Sequence, residues 1–593
     1  MERIKMGDLK NQKGMALVLF LAILLMLTLV GVVAIMNSSN NLDVSGNKMN
    51  SNKTLYAADQ GLEKAISRIR VWHDTSATPM TGANLPSGTF SSGGATVTYS
   101  TKNDTFPVWF VTEDGAINYQ PYQGLKARKI YYLVTSQATS SDGRYRSRVS
   151  AKVVANMVRL FTFDAFYDGD LEFSSEQAYA ADTHFQHIHS NSNIYLEQPT
   201  TPSANTLRFR SGVTAGGNIY HGHNTTYSGS PTKSGKVLIR SGVATYDTLN
   251  ISTANWVDSS LIRWHGAVED SRHGIHQTKL RVVRPYNTNP IDWIARATAK
   301  PTMSLERDGV CGFKVDTDPL TGGGIANRWN GTSWGANVFH SGTPSATTIA
   351  GVGYDFREKL PLTLISINLA QLNTNGFWPI AGTRVIYATQ SRPTSVRRRA
   401  IRIWNAALLA SDLIIASNLP VYIQGNFNTV NPRRAAIIAD AVTAISDTSP
   451  TLFTAWISIT PDSMRTVIRN GATSGGGTYD MTINACIVTG NKPTSSSQFS
   501  GGVNNLVRLL QNWNNDTLII QGPQICLWSN SVDTGSYQFP TTYYDDPLLR
   551  QIESDITIGD STVALPTRYP PFPDNGPYVS YIEVLNRTIM EIP

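Results

Sequence analysis

The 593-residue sequence contains few charged residues and very few cysteines. Charged residues make up 16% of the chain, against about 25% in an average globular protein. This composition excludes a charge-rich disordered chain and a coiled coil. Three cysteines (Cys311, Cys486 and Cys526) cannot build a disulfide framework. The net charge of +7 is spread along the chain and forms no dense basic stripe, so we predict no specific nucleic-acid partner.

One long apolar run lies near the N-terminus. It follows a short polar segment with a basic excess and extends from Met15 to Met36, interrupted only by Thr28 and Gly31. About 22 residues at 1.5 Å each give about 33 Å of helix, enough to cross a hydrocarbon core of about 30 Å. The basic flank predicts a cytoplasmic N-terminus and an exported remainder. We therefore expect a single-pass inner-membrane helix over residues 15–36.

The helical pattern continues beyond this apolar run. No proline occurs before Pro79, and Leu55, Ala58, Leu62 and Ile66 recur at steps of three and four. That spacing predicts an amphipathic stripe on one continuous helix over residues 15–72. The run is too long for an ordinary secretory signal, which ends in a cleavage site with small residues. A plain membrane anchor remains an alternative.

Two motifs in this region resemble those of type IV pilins. Gly14 followed by Met15-Ala16-Leu17-Val18 resembles a prepilin-peptidase site, and LYAADQGLE at 55–63 resembles the AAEAGLE pattern of PilX-type minor pilins. The resemblance covers residues 1–70. It implies that prepilin peptidase removes a leader, residues 1–14, between Gly14 and Met15. The apolar helix then leaves the inner-membrane lipid and packs against other pilins in a cell-surface pilus.

The sequence departs from major pilins at one informative position. Major pilins carry a Glu at the fifth residue of the mature helix, where this chain has Leu19. An unpaired carboxylate in lipid is costly, so a subunit without it need not dock on a preceding subunit through that charge. PilX-type minor pilins and the large tip pseudopilin of type II secretion share this absence.

Residues 73–160 contain patterns typical of strands. Apolar segments at Ala95–Tyr99 and Ile130–Ser136 precede a turn, and from Arg144 to Asn156 charged and apolar residues alternate. A period of two predicts a strand with one solvated face. Together with the helix, these strands predict an α+β pilin-like module, a long helix backed by an antiparallel sheet.

Residues 161–593 differ in texture from the module. Short apolar segments alternate with corners rich in Gly, Asn, Ser and Asp, and HSNSNIYL at 189–196 and TAGGNIY at 214–220 are imperfect copies of one pattern. Stacked Asn side chains can bind corner amides. The pattern predicts a large, mainly-β domain resembling a β-solenoid or β-helix, with a possible division near 300–360. A stacked β-sandwich is the alternative. Leu506, Leu509, Leu510 and Trp513 predict one short amphipathic helix.

Residues of metal or catalytic type occur without a complete motif. Five histidines concentrate between His184 and His223, and imidazoles suit zinc, copper or nickel. No nearby cysteine joins them, so we expect exposed polar residues on a strand surface instead. Asp316 and Asp318 lack the twelfth-position Glu of a calcium loop. GTSWG at 331–335 lacks the flanking strand and helix of a nucleophile elbow. We therefore predict no metal, no cofactor and no catalytic residue.

The densest basic run is Arg397-Arg398-Arg399, followed by Arg402 and the aromatic Trp404. Such a run can bind a polyanion such as a surface polysaccharide. A solvated strand edge, kept from aggregating by its charge, is the alternative.

These patterns favour a structural protein over an enzyme. We expect a minor pilin at or near the filament tip, where a β domain too bulky for every subunit acts in adhesion or in assembly initiation. Its external partner is then a polysaccharide, a host surface or an abiotic surface. Two alternatives are a β-helix enzyme acting on polysaccharide, anchored to the membrane or displayed on a filament, and a tip pseudopilin of type II secretion.

Overall fold

The structure is a computed structural model, and it describes most but not all of the chain. The described residues are 9–75, 80–111, 126–173, 184–185, 187–197, 207–210, 212–227, 235–241, 245–252, 255–264, 267–273, 279–280, 311–317, 324–339, 342, 345–355, 357–358, 360–381, 383–390, 398–445, 480–509, 517–535, 537, 549–553 and 578–592.

One long helix, α1 (Leu9–Thr75), begins the described chain. Its first part is apolar and almost wholly exposed, and it is long enough to cross a membrane. Its second part is amphipathic, and Ala58, Leu62 and Ile69 are fully buried. The predicted long apolar N-terminal helix is therefore confirmed, and it extends beyond the predicted 15–72 at both ends.

Behind the second part of α1 lies an antiparallel sheet. Its first four strands are β1 (Gly88–Ser92), β2 (Ala95–Val111), β3 (Lys126–Ser140) and β4 (Arg146–Arg159), preceded by a 3-10 turn at Gly82–Asn84. In β4, Arg146 and Arg148 are exposed while Val149 is buried against the helix, as the alternation predicts. A Cβ added at Gly61 would lie 2.2 Å from Ser136 Oγ, so glycine permits the close approach of α1 to β3.

We call the strand-rich region between the end of β4 and residue 553 the body. Its first part consists of short strands. They are β5 (Ala165–Tyr167), β6 (Leu171–Phe173), β7 (His184–Phe185), β8 (Ile188–Ser190), β9 (Ile194–Leu196), β10 (Arg208–Phe209), β11 (Val213–Ala215), β12 (Ile219–His221), β13 (Leu238–Arg240), β14 (Tyr246–Thr248), β15 (Val268–Glu269) and β16 (Lys279–Leu280). A helix, α2 (Trp256–Trp264), and 3-10 turns at Leu160–Thr162 and Ser271–His273 lie among them.

The strands are longer in the second part of the body. They are β17 (Cys311–Thr317), β18 (Gly324–Arg328), β19 (Thr347–Asp355), β20 (Leu360–Asn368), β21 (Val385–Gln390), β22 (Arg398–Leu408), β23 (Leu413–Ser417), β24 (Val421–Val430), β25 (Ala435–Ala439), β26 (Val442–Ile445), β27 (Met481–Asn484), β28 (Cys486–Gly490), β29 (Val507–Leu509), β30 (Thr517–Gln521), β31 (Gln524–Trp528) and β32 (Leu549–Glu553). A short helix, α3 (Leu369–Thr374), is capped by the Asn368 side chain.

The helix predicted around Leu506 to Trp513 is wrong in its described part. Gly502–Asn505 form a 3-10 turn, and Val507–Leu509 form β29. β29 pairs in parallel with β26, so ladder hydrogen bonds prevail over the local apolar spacing. Leu510 and Trp513 lie outside the described residues.

Body strands stack mainly in parallel. One eleven-stranded sheet has the order β15-β11-β8-β5-β31-β28-β25-β23-β21-β17-β18, and another path runs β19-β20-β22-β24-β27-β30-β32. β5 lies between β8, which follows it closely in sequence, and β31, which comes from near the end of the chain. We call the β5–β31 contact the seam. The predicted mainly-β body is thus confirmed.

A final strand, β33 (Tyr578–Ile592), returns to the N-terminal sheet and pairs antiparallel with β4 along its length. Tyr578 lies opposite Arg159, so the chain leaves the sheet after β4 and re-enters it in β33 at the same end. The short strand β16, which comes from between them, pairs with the other edge of β33, so the sheet has the order β1-β2-β3-β4-β33-β16. Arg587 on β33 forms an ion pair with Asp59 of α1. The sequence analysis did not predict this strand and placed all of 161–593 in one β domain. The predicted boundaries otherwise stay predictions.

The long parallel sheet is buried on both faces. In β23, Leu413 and Ile415 face the main core of the body, whereas Ile414 and Ala416 belong to a second cluster. That second cluster includes Leu160, Phe161 and Phe163, which follow β4 directly. The connection out of the N-terminal sheet therefore covers the outer face of the body's sheet.

Candidate functional site

The predicted leader-cleavage residues lie on the exposed part of α1. Gly14 has no neighbour within 4 Å of a Cβ added there, and Met15 is 72% exposed. Leu19 is also exposed, one turn further along the same apolar surface. These positions are accessible in the structure, and cleavage between Gly14 and Met15 stays a prediction.

The described part of the predicted basic run lies on an interior strand of a sheet and not at a solvated strand edge. Arg398, Arg399 and Arg402 belong to β22, which lies between β20 and β24, and Arg397 lies outside the described residues. Arg399 and Arg402 are only 9% and 4% exposed. The guanidinium of Arg402 lies 4.6 Å from the ring centroid of Trp404, and burial lowers the pKa of Arg402 to about 9. The solvated-edge interpretation is therefore wrong for Arg399 and Arg402, and anion binding by the run stays a prediction.

Two histidines of the predicted cluster are buried together inside the body. His189 Nδ1 lies 2.8 Å and His187 Nε2 lies 3.2 Å from the hydroxyl of Thr214. Phe166 stacks on His189, and burial lowers the pKa of His189 to about 4, so this imidazole is neutral at pH 7. Among the described residues, no group of three or more His, Cys, Asp or Glu side chains is arranged to hold a metal.

The repeated corners predicted from the sequence stack directly on one another. Asp170 Oδ1 accepts a hydrogen bond from the Asn193 amide (3.0 Å), 23 residues later, and Asn193 Oδ1 accepts one from the Asn218 amide (2.9 Å), 25 residues later. Asn218 Oδ1 in turn accepts the Ser271 hydroxyl at 2.7 Å. Short polar side chains of one corner thus satisfy the amide or hydroxyl donors of the next, as the Asn-rich corners predict.

A cleft of about 420 Å³ opens beside the seam. Its walls come from three distant segments and two serines, namely Tyr167–Asp170 with Glu172, Asn491–Thr494, Cys526–Ser529, Ser192 and Ser500. We call this the seam cleft. It exists because β31 pairs with β5, where the Asp168 amide donates to the Cys526 carbonyl at 2.9 Å.

Glu172 is the most perturbed acid of the seam cleft. Its Oε1 accepts the Asn224 side-chain amide at 2.8 Å, and its Oε2 accepts the Thr494 hydroxyl at 2.9 Å. Burial raises the pKa of Glu172 to about 7, and the two hydrogen bonds only partly offset that effect. Gly502 closes over it: φ is +53°, and a Cβ there would lie 1.9 Å from the Glu172 carbonyl oxygen. Glycine is therefore required at 502.

Buried carboxylates fix the loop at residues 531–535, which follows the Cys526–Ser529 wall of the seam cleft. Asp440 accepts the backbone amides of Ser531, Val532 and Asp533 at 2.7–2.9 Å, and Glu358 accepts that of Gly535 at 2.7 Å. Carboxylates therefore accept the backbone amides of the loop at residues 531–535 and hold its conformation.

The Arg508 network, defined as Arg508, Glu358 and Asp533, lies beneath this loop. Arg508 forms ion pairs with Glu358 and with Asp533, the latter at 3.2 Å, and all three side chains are buried. Burial alone would raise the pKa of Glu358, but the charge and hydrogen bonds of Arg508 lower that pKa below its usual value. Burial raises the pKa of Asp533 well above its usual range. Arg508 is thus the cation that holds Glu358 ionised, and its charge opposes the rise in the pKa of Asp533.

The sequence analysis missed the seam cleft. The alternating acids Asp168, Asp170 and Glu172 are visible in the sequence, where Glu172 looks like a generic carboxylate. Thr494, which binds Glu172, is 322 residues away. A contact across that separation depends on the seam, and no local pattern reports it.

Comparisons with known proteins find a similarity among solved structures. No family model matches the chain, and no curated protein matches it. Among solved structures, the chain is similar to the competence-associated pilin ComZ from Thermus thermophilus at 10% identity, with 91% of this chain and 98% of that chain covered. The TM-score is 0.17, too low to carry an argument about shared fold or function. The chain therefore has a pilin as a structural neighbour. The proposed function rests on the residues of this chain.

Proposed function

We propose that this chain is a minor pilin of a type IV pilus, of PilX type, that assembles through α1 and displays the body outside the cell. The observation that carries the proposal is the division of α1 into an exposed apolar part and a part packed on an antiparallel sheet. An exposed apolar surface of this length needs lipid or neighbouring helices to cover it. Lipid covers it before assembly, and other pilins cover it afterwards.

The body supports a location at the filament tip. Two successive corners follow one another after 23 and 25 residues and are joined by hydrogen bonds, which favours a solenoid in which β31 lies beside β5 at the seam. Both connections to the body emerge from one end of the β4–β33 pair. A large body attached at one end of a small sheet suits a tip or rarely incorporated subunit. We propose that it acts in adhesion or in assembly initiation.

An enzyme acting on polysaccharide is the second candidate, and one observation favours it. Glu172 has a pKa of about 7 and lies beside Asp168 and Asp170 in the seam cleft, as a general acid would. Against it, Glu172 is 2% exposed and both its carboxylate oxygens accept hydrogen bonds. We propose that the body is not catalytic. Release of reducing ends from neutral or acidic glycans by the purified full-length chain would contradict this.

The mature N-terminus tests the pilin proposal. Mass spectrometry of sheared surface filaments is expected to find a peptide that begins at Met15. Gly14→Val is expected to block cleavage, and Gly31→Val, also in the exposed part of α1 with no atom within 4 Å of its Cβ position, is the matched control. An intact Met1 confined to membranes would instead indicate a plain anchored exoprotein.

The same filaments test the tip location. Antibodies against the body are expected to label filament ends. Even labelling along the shaft would contradict a tip position, and absence from surface filaments with normal cleavage at Gly14 would favour the tip pseudopilin of type II secretion.

A further inference from the structure

The seam cleft continues into a second surface feature on the same side of the body. β6, β9 and β12 form a three-stranded parallel sheet in which Glu172, Tyr195 and Tyr220 occupy equivalent positions. In-register residues of parallel strands point to the same face of a sheet. Tyr195 and Tyr220 therefore lie beside Glu172, which lines the seam cleft.

These two tyrosines form a stacked aromatic pair, which we call the tyrosine platform. Their ring centroids are 5.0 Å apart and their planes differ by 13°, so the rings are stacked. Tyr220 is 41% exposed. Burial and the nearby carboxylate of Asp170 raise the pKa of Tyr195 above its usual range, which agrees with its position next to the seam cleft.

The walls of the seam cleft favour a hydroxylated, uncharged ligand. Serine, threonine and asparagine side chains line it with Asp168 and Asp170, and its volume of about 420 Å³ lies within the usual range for small-molecule sites. Lys492 is the cation of the lining, and it stands against two surface-facing carboxylates. An anionic polymer is therefore disfavoured by charge.

We propose that the seam cleft and the tyrosine platform together bind a neutral oligosaccharide, with one sugar in the cleft and a sugar further along the same oligosaccharide against the exposed part of Tyr220. Hydroxyl groups of a sugar suit carboxylate and amide acceptors and donors, and the apolar face of a pyranose suits an aromatic ring. The chain of sugars would then run along the direction in which the body's layers stack. This inference deepens the adhesive role proposed above and rests on it for its biological setting.

Binding to the purified full-length chain in detergent micelles tests the proposal. Maltotetraose, cellotetraose and chitotetraose are titrated separately by calorimetry, with tetragalacturonate as the anionic comparison. At least one neutral tetrasaccharide is expected to bind, and tetragalacturonate is expected to bind at least about tenfold more weakly. Equal or tighter binding of tetragalacturonate, or no binding of any neutral tetrasaccharide, would overturn the proposal.

Two substitutions locate the site. Gly169→Phe places a ring in the seam cleft at a position where an added Cβ meets nothing within 4 Å, so the fold is preserved and binding should fall about tenfold or more. Tyr220→Ala removes the exposed platform ring and should weaken binding about fivefold. Tyr56→Ala, at a tyrosine 69% exposed on α1, is the control and should bind as wild type does.

Binding that survives both Gly169→Phe and Tyr220→Ala would contradict the site. The titration needs no filament, so its failure is distinguishable from failure of the pilin proposal. A mature N-terminus at Met15 with no glycan binding would leave the pilin proposal standing alone.

Discussion

The N-terminal sheet and the body use strands in opposite ways. In the sheet, β1 to β4 pair in chain order, and one face of β4 is solvated. In the body, neighbours in the long parallel sheet are almost all non-consecutive strands, with other strands between them in the chain, and β23, β25 and β28 are buried at every position. Parallel sheets need cover on both faces, whereas an antiparallel sheet can leave one face wet. The number of covered faces therefore decides whether charged side chains of a region lie in solvent or in the interior.

Charge lies outside in the sheet and partly inside in the body. Arg146 and Arg148 of β4 are exposed, whereas Arg508 and Asp533 of the body are buried with Glu358. A buried charge is tolerated only when it is paired and hydrogen-bonded. The body therefore depends on specific partners from remote loops, and the sheet depends on strand pairing.

Removing β33 should have the largest effect of all. A chain ending at residue 577 loses the strand that pairs with β4 along its length, at about 1 kcal/mol per hydrogen bond. That loss is comparable with the about 5–15 kcal/mol that stabilises a whole domain. We expect the N-terminal sheet to unfold, with rapid hydrogen exchange of the amides of β2 to β4.

A complementary deletion keeps β33 and removes the body. Asn-Gly in place of residues 160–577 would join Arg159 to Tyr578, which lie opposite each other, through a two-residue hairpin turn. Here we expect the sheet to retain slow exchange in β2 to β4. If the chain ending at 577 kept protected amides, or this hairpin variant lost them, the sheet would not be the self-contained unit that the comparison implies.

Removal of the Arg508 cation should rank second. Arg508→Met leaves Glu358 and Asp533 buried without their shared cation, at a cost of about 3–5 kcal/mol. Arg384→Met is the matched control, because Arg384 pairs with Asp412 at 3.1 Å but is 40% exposed, and such pairs contribute about 0–1 kcal/mol. Urea denaturation followed by tryptophan fluorescence measures both. Equal losses would mean that burial of the charge is irrelevant.

The local parts of the fold were predictable from the sequence, and the remote contacts were not. The apolar stripe through Ala58 and Leu62 predicts the buried face of α1, and alternation predicts β4, because both patterns are read from neighbouring residues. The corners at Asn193 and Asn218 predict hydrogen bonds between corner residues for the same reason. β33 was missed because its partner, β4, lies more than four hundred residues earlier.

Candidate sites show the same limit. Arg399 and Arg402 looked solvated because a run of arginines usually is, but β22 has strands on both sides. His187 and His189 looked like exposed polar residues or metal ligands, but both are buried, beside the Thr214 hydroxyl and, for His189, the Phe166 ring. Burial is set by tertiary neighbours, so a residue type alone does not report it.

The smallest effect is expected at Glu172, and its sign is opposite to that at Glu358. The pKa of Glu172 is raised from 4.5 to about 7, so between these values the folded state binds more protons than the unfolded state. Stability contributed by this group therefore falls as pH rises through that window, by on the order of 2–3 kcal/mol. At Glu358 the pKa is lowered, and stability is lost as pH falls.

Glu172→Gln removes the titration and keeps a side chain able to bind Asn224 and Thr494. We expect the variant to be more stable than wild type at pH 8, by about 2 kcal/mol, and nearly equal to it at pH 4. Glu63→Gln, at a carboxyl 59% exposed on α1, serves as the control and should leave the pH profile unchanged. Urea unfolding at each pH measures the difference. A Glu172→Gln profile parallel to wild type would mean that Glu172 titrates normally, and that the seam cleft is open enough to hydrate it.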